Sequence, residues 1–348
     1  MRVLITGSDG YIGSVLAPMV RDAGHEVRGI DSCLFEGCSL GPEPSAVPTQ
    51  RLDIRDVDVA DLSGFDVLVH LAAISNDPLG HLDPARTYEI NHQASVRLGR
   101  VAKRAGVERF VYASSCSLYG ASLPDDLLAE SAPFNPVTPY GESKVLAERD
   151  LGKLADDDFS PVFLRNATVY GHSPRLRLDL VVNDLVANAV AMRTIVIKSD
   201  GTPWRPLVHI VDVARAALAA IESSREAIHN EAFNVGRTQE NYQVRDIAAI
   251  VSQVVPDCDI VYADGGGPDT RCYRVDFSKA ERHLPGFHPR WTLIEGVREL
   301  AGSYRDHGLA PGDLASDRFI RLHRIQALLR KGRLGPDLRW LRVSESAV

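Results

Sequence analysis

The hydrophobic positions in the first half of the chain alternate between short apolar runs and longer stretches of helical periodicity. The apolar runs predict strands over residues 3–6, 25–30, 50–52, 66–73, 109–115 and 161–169. Apolar residues at a helical period predict helices over residues 11–23, 84–105 and 139–151. Residues 66–73 are apolar almost throughout, as expected of a strand buried on both faces. Strands separated by helices predict an α/β fold with right-handed βαβ units on a parallel sheet.

The second half of the chain is less regular. Helices are predicted over residues 180–191, 211–223, 244–255 and 293–303, with short strands at 194–197 and 233–235. Gly, His and Pro interrupt the pattern near residues 170–174, which predicts a domain boundary there. We therefore expect a first domain over residues 1–170, a smaller α/β domain over 171–310 and a tail over 311–348. Some of the chain beyond residue 170 is expected to return to the first domain.

The predicted tail is basic and amphipathic. Phe319, Leu322, Ile325 and Leu329 recur at helical spacing among many arginines. This pattern favours a helix that docks its apolar face on the body of the protein and holds its arginines in water. A site for a partner or a polyanion is the alternative.

A glycine-rich turn joins the first predicted strand to the first predicted helix. It reads Gly7-Ser8-Asp9-Gly10-Tyr11-Ile12-Gly13, a G-x-x-G-x-x-G spacing rather than the commoner G-x-G-x-x-G. Glycines allow a tight turn and a close approach of the backbone to a pyrophosphate, and the helix N-terminus adds free N–H groups. A turn between the first strand and the first helix is where a dinucleotide site is expected.

Two aspartates follow the second and third predicted strands. Asp31 stands about 20 residues after the glycines, where a carboxylate accepts the ribose hydroxyls of NAD and repels the 2′-phosphate of NADP. Arg28 leaves NADP open as an alternative, but it lies within the strand, so NAD is favoured. Asp53, followed by Ile54, stands where it could hold the adenine amino group; an ordinary solvated turn residue is the other interpretation.

A tyrosine and a lysine stand four residues apart on the predicted helix 139–151. Tyr140 and Lys144 therefore share one helix face and point into the same cleft. A free tyrosine is a poor base at neutral pH, but a neighbouring ammonium favours the phenolate and lowers its pKa. Only six lysines occur in the chain, which makes a chance pair of this kind uncommon. The pair predicts a tyrosine general acid/base.

In this order, the motifs make the chain resemble the extended short-chain dehydrogenases/reductases, of the nucleotide-sugar epimerase/dehydratase type. The resemblance covers roughly residues 1–300 and also includes Leu71-Ala72-Ala73, Asn91, Ser114-Ser115-Cys116-Ser117-Leu118-Tyr119-Gly120, Trp204-Arg205-Pro206 to Asp212, Phe233-Asn234-Val235-Gly236 and Arg271. It implies a Rossmann-type doubly wound sheet that binds NAD(P), a smaller C-terminal domain that binds an NDP-sugar, and a homodimer through the helices near 84–105 and 139–156. The cofactor-binding residues it implies are Gly7, Gly10, Tyr11, Ile12, Gly13, Asp31, Asp53, Ile54, Leu71, Ala72, Ala73, Asn91, Tyr140 and Lys144.

The resemblance implies Ser115 as the third catalytic residue beside Tyr140 and Lys144. Cys116 and Ser117 occupy the next two positions, where sugar 4,6-dehydratases typically carry an Asp-Glu acid/base pair. UDP-glucuronate decarboxylases usually keep the Glu, so both reactions are disfavoured. The 3,5-epimerases carry a cysteine one place later, so Cys116 is interpreted as a packing residue.

The remaining set matches the sugar 4-epimerases. We expect an NAD-dependent epimerisation at C4 through a 4-keto intermediate. An NAD(P)H-dependent 4-keto-sugar reductase uses the same three residues and is the alternative. A non-catalytic cofactor-binding regulator is the third hypothesis; such proteins commonly lose the Tyr or the Lys, and both are present.

The substrate residues implied by the resemblance are Arg205 and Arg271, which would bind the diphosphate of the sugar nucleotide as bidentate guanidinium groups. Arg274 is an alternative to Arg271. Thr168 and Asn183 lie where substrate contacts are often found, and His172 could touch the sugar or have no role. Neither the base nor the sugar is identified.

Composition narrows the class of protein further. The 348 residues carry a net charge of −7, which argues against nucleic-acid or anionic-membrane partners. The five irregularly spaced cysteines predict neither a disulfide framework nor a metal site and favour a reducing cytoplasm. The chain begins with a strand rather than a targeting segment, and no apolar run is long enough for a membrane span.

Overall fold

The computed structural model describes residues 1–44, 47–75, 83–122, 126–263 and 271–341. Its strands, in chain order, are β1 (Arg2–Thr6), β2 (Glu26–Asp31), β3 (Thr49–Arg51), β4 (Val67–His70), β5 (Arg109–Ser115), β6 (Leu127–Leu128), β7 (Ser160–Asn166), β8 (Thr168–Tyr170), β9 (Thr194–Ile197), β10 (Trp204–His209), β11 (Glu231–Val235), β12 (Asn241–Gln243), β13 (Asp259–Tyr262) and β14 (Arg274–Val275).

The α-helices are α1 (Gly13–Asp22), α2 (Val59–Leu62), α3 (Pro84–Tyr88), α4 (Ser95–Arg104), α5 (Pro139–Gly152), α6 (Val181–Met192), α7 (Ile210–Glu222), α8 (Arg225–Ile228), α9 (Val244–Val254), α10 (Ser278–His283), α11 (Leu293–Asp306) and α12 (Arg321–Arg330). A π-helical turn over Glu89–Ala94 joins α3 to α4, and 3-10 turns cover Cys116–Tyr119 and Pro311–Ala315. No helix in the described ranges is long and apolar enough to cross a bilayer.

Seven parallel strands form the central sheet in the order β11-β7-β5-β4-β1-β2-β3. The chain runs outward in one direction from β1 through β2 to β3, and in the other through β4, β5 and β7. The order therefore reverses between β1 and β4, which opens a crevice at the carboxyl ends of these strands. This arrangement confirms the predicted doubly wound parallel sheet.

Side chains that alternate along the strands build a core on each face of the sheet. Val3 and Ile5 of β1 pack on one face with apolar residues of α1 and α7. Leu4 of the same strand packs on the other face with apolar residues of α4 and α5. The sheet is therefore buried on both sides, and its carboxyl edge carries the polar chemistry.

The rest of the chain forms smaller sheets beside this edge. Strand β10 pairs parallel to β8 and antiparallel to β12, and β9 pairs parallel to β13. A separate apolar core forms among α6, α9 and α11. Strand β11 returns to the central sheet, beside β7.

Three predicted elements end or break at the crevice. The strand predicted over 66–73 stops at His70, so Leu71-Ala72-Ala73 leaves the sheet as a loop. The strand predicted over 161–169 divides at Ala167 because β8 pairs with β10, whereas β7 belongs to the central sheet. The helix predicted over 84–105 contains the π-helical turn. Each difference from the predicted bounds arises from tertiary contacts, which the local sequence pattern does not predict.

Candidate active site

A cavity of about 730 Å³ opens at the carboxyl edge of the sheet, between the central sheet and the smaller sheets. Every site residue predicted from the sequence lines this cavity except Asn91 and Asn183. Residues that follow different strands, far apart in the sequence, therefore line a single cavity. Its volume suits a ligand of nucleotide size.

The glycine-rich turn forms one wall of the cavity and is tightly packed. Gly7 has a positive φ of 74°, and a Cβ there would lie 2.8 Å from the Ala72 nitrogen. A Cβ on Gly13 would lie 2.1 Å from the Gly7 carbonyl oxygen. Only glycine fits at Gly13, where α1 begins, and this first residue of the helix lines the cavity. This cradle fits the pyrophosphate of a dinucleotide.

Asp31 ends β2 and supports the glycine turn. Its carboxylate accepts hydrogen bonds from the Asp9 N–H at 3.0 Å and from the Cys33 N–H at 2.7 Å. Burial raises the pKa of this carboxyl group. Each oxygen keeps a lone pair, so the carboxylate can still accept ribose hydroxyls. Arg28, on which the NADP alternative rested, is absent from the cavity lining and lies near Glu26 with its side chain 60% exposed.

Asp53 lies in the cavity wall but is already engaged. The Arg55 guanidinium donates to both of its oxygens, at 2.9 and 2.6 Å. Arg55 also bonds the Glu89 carboxylate at 3.0 Å and the Asp337 carbonyl at 2.9 Å. Hydrogen bonds from Arg55 help to hold the pKa of Asp53 below its usual value. Asp53 is thus part of an ion-pair network as well as a candidate contact for adenine.

The two asparagines outside the cavity lining hold its walls in place. Asn91, in the π-helical turn, accepts from the Ile74 N–H at 2.8 Å and donates to the Ile74 carbonyl at 2.9 Å. Asn183 accepts from the Gly171 N–H at 3.1 Å and donates to the Tyr11 hydroxyl at 3.2 Å. Both are fully buried and support the cavity wall through these hydrogen bonds, and their predicted contacts with cofactor and substrate stay predictions.

The three predicted catalytic residues line the same cavity. Ser115 ends β5, and its hydroxyl donates to the Ser117 hydroxyl at 3.0 Å. Thr138 caps α5 by accepting from the Gly141 N–H at 3.1 Å, and Pro139 starts the helix, so Tyr140 stands in its first turn. Lys144 follows one turn later, with its ammonium 5.8 Å from the centroid of the Tyr140 ring.

Lys144 is a buried cation with little compensation. Its ammonium donates to the Ala113 carbonyl at 2.7 Å and lies 4.6 Å from the centroid of the Tyr112 ring. Burial lowers the pKa of Lys144 to about 7. Burial of an ammonium group costs stability, and such perturbed groups are often found at functional sites, which is consistent with the predicted role of Lys144.

An ion pair below the cavity holds the catalytic helix against the sheet. Arg165 of β7 donates to both oxygens of Glu148, the closest approach being 2.8 Å. Glu148 lies one turn after Lys144 and also accepts from the Ser114 hydroxyl. Both charged side chains are almost fully buried. The pair therefore fixes α5 at the end of β5.

Cys116 and His172 do not line the cavity. The Cys116 thiol is buried, donates to the Arg165 carbonyl at 3.1 Å, and does not line the cavity. Burial raises the pKa of this thiol well above its usual value. The His172 N–H donates to Glu299 at 3.0 Å, and its ring stacks on His307 outside the cavity. All five cysteines lie in the described ranges as free thiols.

The other end of the cavity is cationic. Arg205 of β10 is buried and donates to the Trp204 carbonyl at 2.8 Å and to the Arg271 carbonyl. Arg271 and Thr168 line the same space, whereas Arg274 does not and lies over the Trp204 ring instead. The geometry favours Arg271 over Arg274 as the second diphosphate ligand. No group of three or more metal-ligating side chains occurs in the described part of the chain.

Comparison with known proteins agrees with this site. The model of the NAD dependent epimerase/dehydratase family matches residues 3–236 of the chain. The chain belongs to this family. A UDP-glucose 4-epimerase of Mycolicibacterium smegmatis is 32% identical over 321 residues, covering 88% of this chain and 99% of the relative.

Solved structures of similar proteins superimpose over the same part of the chain. MoeE5 in complex with UDP-glucuronic acid and NAD has a TM-score of 0.77 at 28% identity and covers 88% of this chain and 99% of its own. The UDP-glucose 4-epimerase of Thermotoga maritima with UDP-glucose has a TM-score of 0.77 at 26% identity, with the same coverage of both chains. The family's cofactor is NAD, in agreement with Asp31 and the glycine cradle.

Besides Arg55, two more arginines that the sequence motifs did not indicate line the cavity, Arg177 and Arg321. Arg177 donates to both oxygens of Asp179 and to the Ser75 hydroxyl at 3.0 Å, with its guanidinium 6.0 Å from the centroid of the Tyr11 ring. Arg321 comes from α12, in the predicted tail, and is only 2% exposed. Sequence pattern placed the tail arginines in water, which is wrong for Arg321. The one signal for it was the density of arginines around an apolar stripe.

Proposed function

We propose that this protein is a nucleoside-diphosphate-sugar 4-epimerase, which interconverts the two configurations at C4 through a 4-keto sugar. The observation that carries the proposal is the plain Ser115/Tyr140/Lys144 set with no second acid/base beside it. Positions 116 and 117 hold a thiol turned toward the Arg165 carbonyl and a serine hydroxyl. Elimination of water from the sugar needs an acid and a base in addition to the tyrosine, and neither side chain supplies them.

NAD, when bound, would accept a hydride from C4 and return it to the opposite face of the ring. Tyr140 would take the proton from O4 in the first half-reaction and give it back in the second. Ser115 would hydrogen-bond the same oxygen in both halves. Lys144 would hold the nicotinamide ribose and favour the phenolate form of Tyr140 through its charge. Redox equivalents are not consumed overall, so the cofactor can remain bound.

A UDP-hexose is the substrate we expect. Arg205 and Arg271 lie in the cavity wall away from the glycine cradle, where two guanidinium groups suit a diphosphate. The relatives named as UDP-glucose 4-epimerases and the two structures that contain UDP-sugars support uridine as the base. Thr168 lines the same cavity and is expected to face the sugar.

The test is incubation of the purified protein with UDP-, dTDP-, GDP- and CDP-sugars, followed by NMR of the products. We expect a C4 epimer of a UDP-hexose, NAD already bound to the protein, and no net change in absorbance at the wavelength of NADH. Stoichiometric consumption of added NAD(P)H would instead identify a 4-keto-sugar reductase. Loss of water or carbon dioxide from the sugar would also contradict the proposal.

We also propose an assembly and a cellular location. We expect a homodimer that packs through the α3–α4 segment and α5, as the resemblance implies, and sedimentation velocity tests it. We expect the protein to work in the cytoplasm, because its five cysteines are unpaired thiols. Localisation of a fluorescent fusion checks this.

A further inference from the structure

The segment from Pro311 to Leu341 packs onto the cofactor half of the cavity rather than onto a remote surface. Ile325, Leu328 and Leu334 are buried against Ile74, which follows the β4 loop. Leu34 and Phe35, in the loop after β2, pack against the same cluster. Ile325 and Leu338 line the cavity itself. This segment is therefore one of the walls of the cofactor site.

Hydrogen bonds tie the segment to the loops that follow β2 and β3. The Trp340 indole donates to the Ser32 carbonyl at 2.6 Å. Arg324 donates to the carbonyls of Leu34 at 3.2 Å and Glu36 at 3.0 Å. Ser32 and Leu34 directly follow Asp31, the residue assigned to the cofactor ribose. The contacts fix the backbone of this ribose loop through side chains of the segment.

Arg321 is the charged group that the segment carries into the cavity. Its guanidinium is stacked 4.0 Å from the centroid of the Phe35 ring, and its Nη2 donates to the Arg175 carbonyl at 3.2 Å. Nη1 is buried without a hydrogen-bond partner among the described residues. Burial lowers the pKa of Arg321 to about 10, so the group is still a cation at neutral pH.

Two neighbouring arginines, Arg175 and Arg177, form ion pairs with carboxylates, whereas Arg321 forms none with the residues that the structure describes. Arg175 is paired with Asp9 at 2.6 Å and with Glu43 at 2.6 Å. Arg177 is paired with Asp179 at 2.9 Å. No ion pair joins Arg321 to a carboxylate in the described ranges. A buried, uncompensated cation with a free donor is costly by itself and indicates an anionic ligand.

We propose that Arg321 binds the diphosphate of NAD and that the segment 311–341 completes the cofactor site. The connection through Arg175 favours the cofactor diphosphate, since the Arg175 side chain binds Asp9 within the glycine turn. Arg321 lines the same cavity as the glycine cradle. Arg205 and Arg271 are the residues proposed above for the substrate diphosphate. The inference depends on NAD being the cofactor and not on the reaction at C4.

The test compares Arg321→Met and Arg321→Lys with Arg330→Met, a control at an exposed position on the same helix. The measurements are NAD per chain in the purified protein, the rate of NAD release, and thermal shifts with NAD, ADP and adenosine. We expect Arg321→Met to release NAD roughly ten- to a hundredfold faster, because a charged hydrogen bond is lost. Arg321→Lys should lie between, and Arg330→Met should match the parent.

The stability of Arg321→Met without nucleotide, relative to the parent, distinguishes a ligand-binding role of Arg321 from a structural role. Removal of an unpaired buried charge should leave Arg321→Met as stable as the parent, or more stable, in the absence of nucleotide. The thermal shift by ADP and NAD should shrink while that by adenosine is kept. Unchanged NAD release would overturn the proposal. So would a loss confined to UDP-sugar affinity, whatever reaction the enzyme catalyses.

Discussion

The proposed cofactor and substrate halves of the cavity are lined by different kinds of groups. The cofactor half is mainly backbone and small side chains, with Gly7, Gly13, Ala72 and Ala73 at the ends of neighbouring parallel strands. The proposed substrate half carries long cationic side chains among its lining residues, with Lys198, Arg205 and Arg271 on segments far apart in the chain. A site formed by backbone atoms can change only if the path of the backbone changes. A site made of side chains can change one residue at a time.

This difference predicts that the two halves respond differently to substitution. The cradle for the dinucleotide depends on positions where an added carbon atom meets backbone. The substrate half depends on charge and reach, which many combinations of residues provide. Tyr140 stands where the two halves meet, because its helix is anchored to the central sheet and its ring lines the shared cavity.

Tyr140→Phe gives the largest expected effect, at the junction of the halves. We expect kcat to fall about 10²–10⁴-fold, since the proton on O4 loses its acceptor while the ring remains. NAD bound per chain should be unchanged. Steady-state kinetics on the UDP-hexose identified by NMR, with NAD quantified after denaturation, measures both. Activity within tenfold of the parent would exclude Tyr140 as the acid/base.

Gly13→Ala tests the backbone-built half. The new Cβ would lie 2.1 Å from the Gly7 carbonyl oxygen, so the turn has to open. We expect NAD occupancy to fall about a hundredfold at limiting NAD, in line with overpacking costs of about 1–3 kcal/mol. Gly302→Ala, in α11 with nothing within 4 Å of its Cβ, is the matched control and should be neutral or slightly stabilising. Equal occupancy in the two variants would show that the cradle is not the cofactor site.

Arg271→Met tests the side-chain-built half, with Arg274→Met as its control. Arg271 lines the cavity and Arg274 does not. We expect KM for the sugar nucleotide to rise about tenfold or more in Arg271→Met, with NAD content unaffected, because a charged contact with the diphosphate is lost. Arg274→Met should leave KM within about twofold. The reverse ranking would assign the diphosphate to Arg274.

Cys116→Ala should have the smallest effect, because Cys116 belongs to neither half. The thiol is buried against the Arg165 carbonyl. We expect a loss of about 1 kcal/mol in the free energy of unfolding and a kcat within about twofold of the parent. Chemical denaturation and steady-state rates measure the two quantities. A hundredfold fall in kcat at preserved stability would make the thiol an acid/base.

The cofactor half could be predicted from the sequence because its determinants are local. The glycine turn, Asp31 and the Tyr140/Lys144 pair each lie within one strand end or one helix turn. Residues that lie close together in each of these motifs are therefore also close together in the structure. The parallel sheet follows from the same local alternation of strands and helices.

The substrate half and the tail could not be predicted in this way, because their positions are set by tertiary contacts. Strand β10 contains Pro206, which weakens a strand pattern, and it forms only through pairing with β8 and β12. Arg321 has the sequence context of a solvated arginine. Its burial depends on Phe35, which is almost three hundred residues earlier in the chain.

The position of β11 has a consequence for synthesis. A ribosome delivers the glycine turn, Asp31 and Tyr140 first, but the strand beside β7 is made only at Glu231–Val235. The wall that carries Arg321 emerges later still. The proposed dinucleotide pocket is therefore complete only after most of the chain has been synthesised. A fragment cut at residue 170 should not fold into a working cofactor domain.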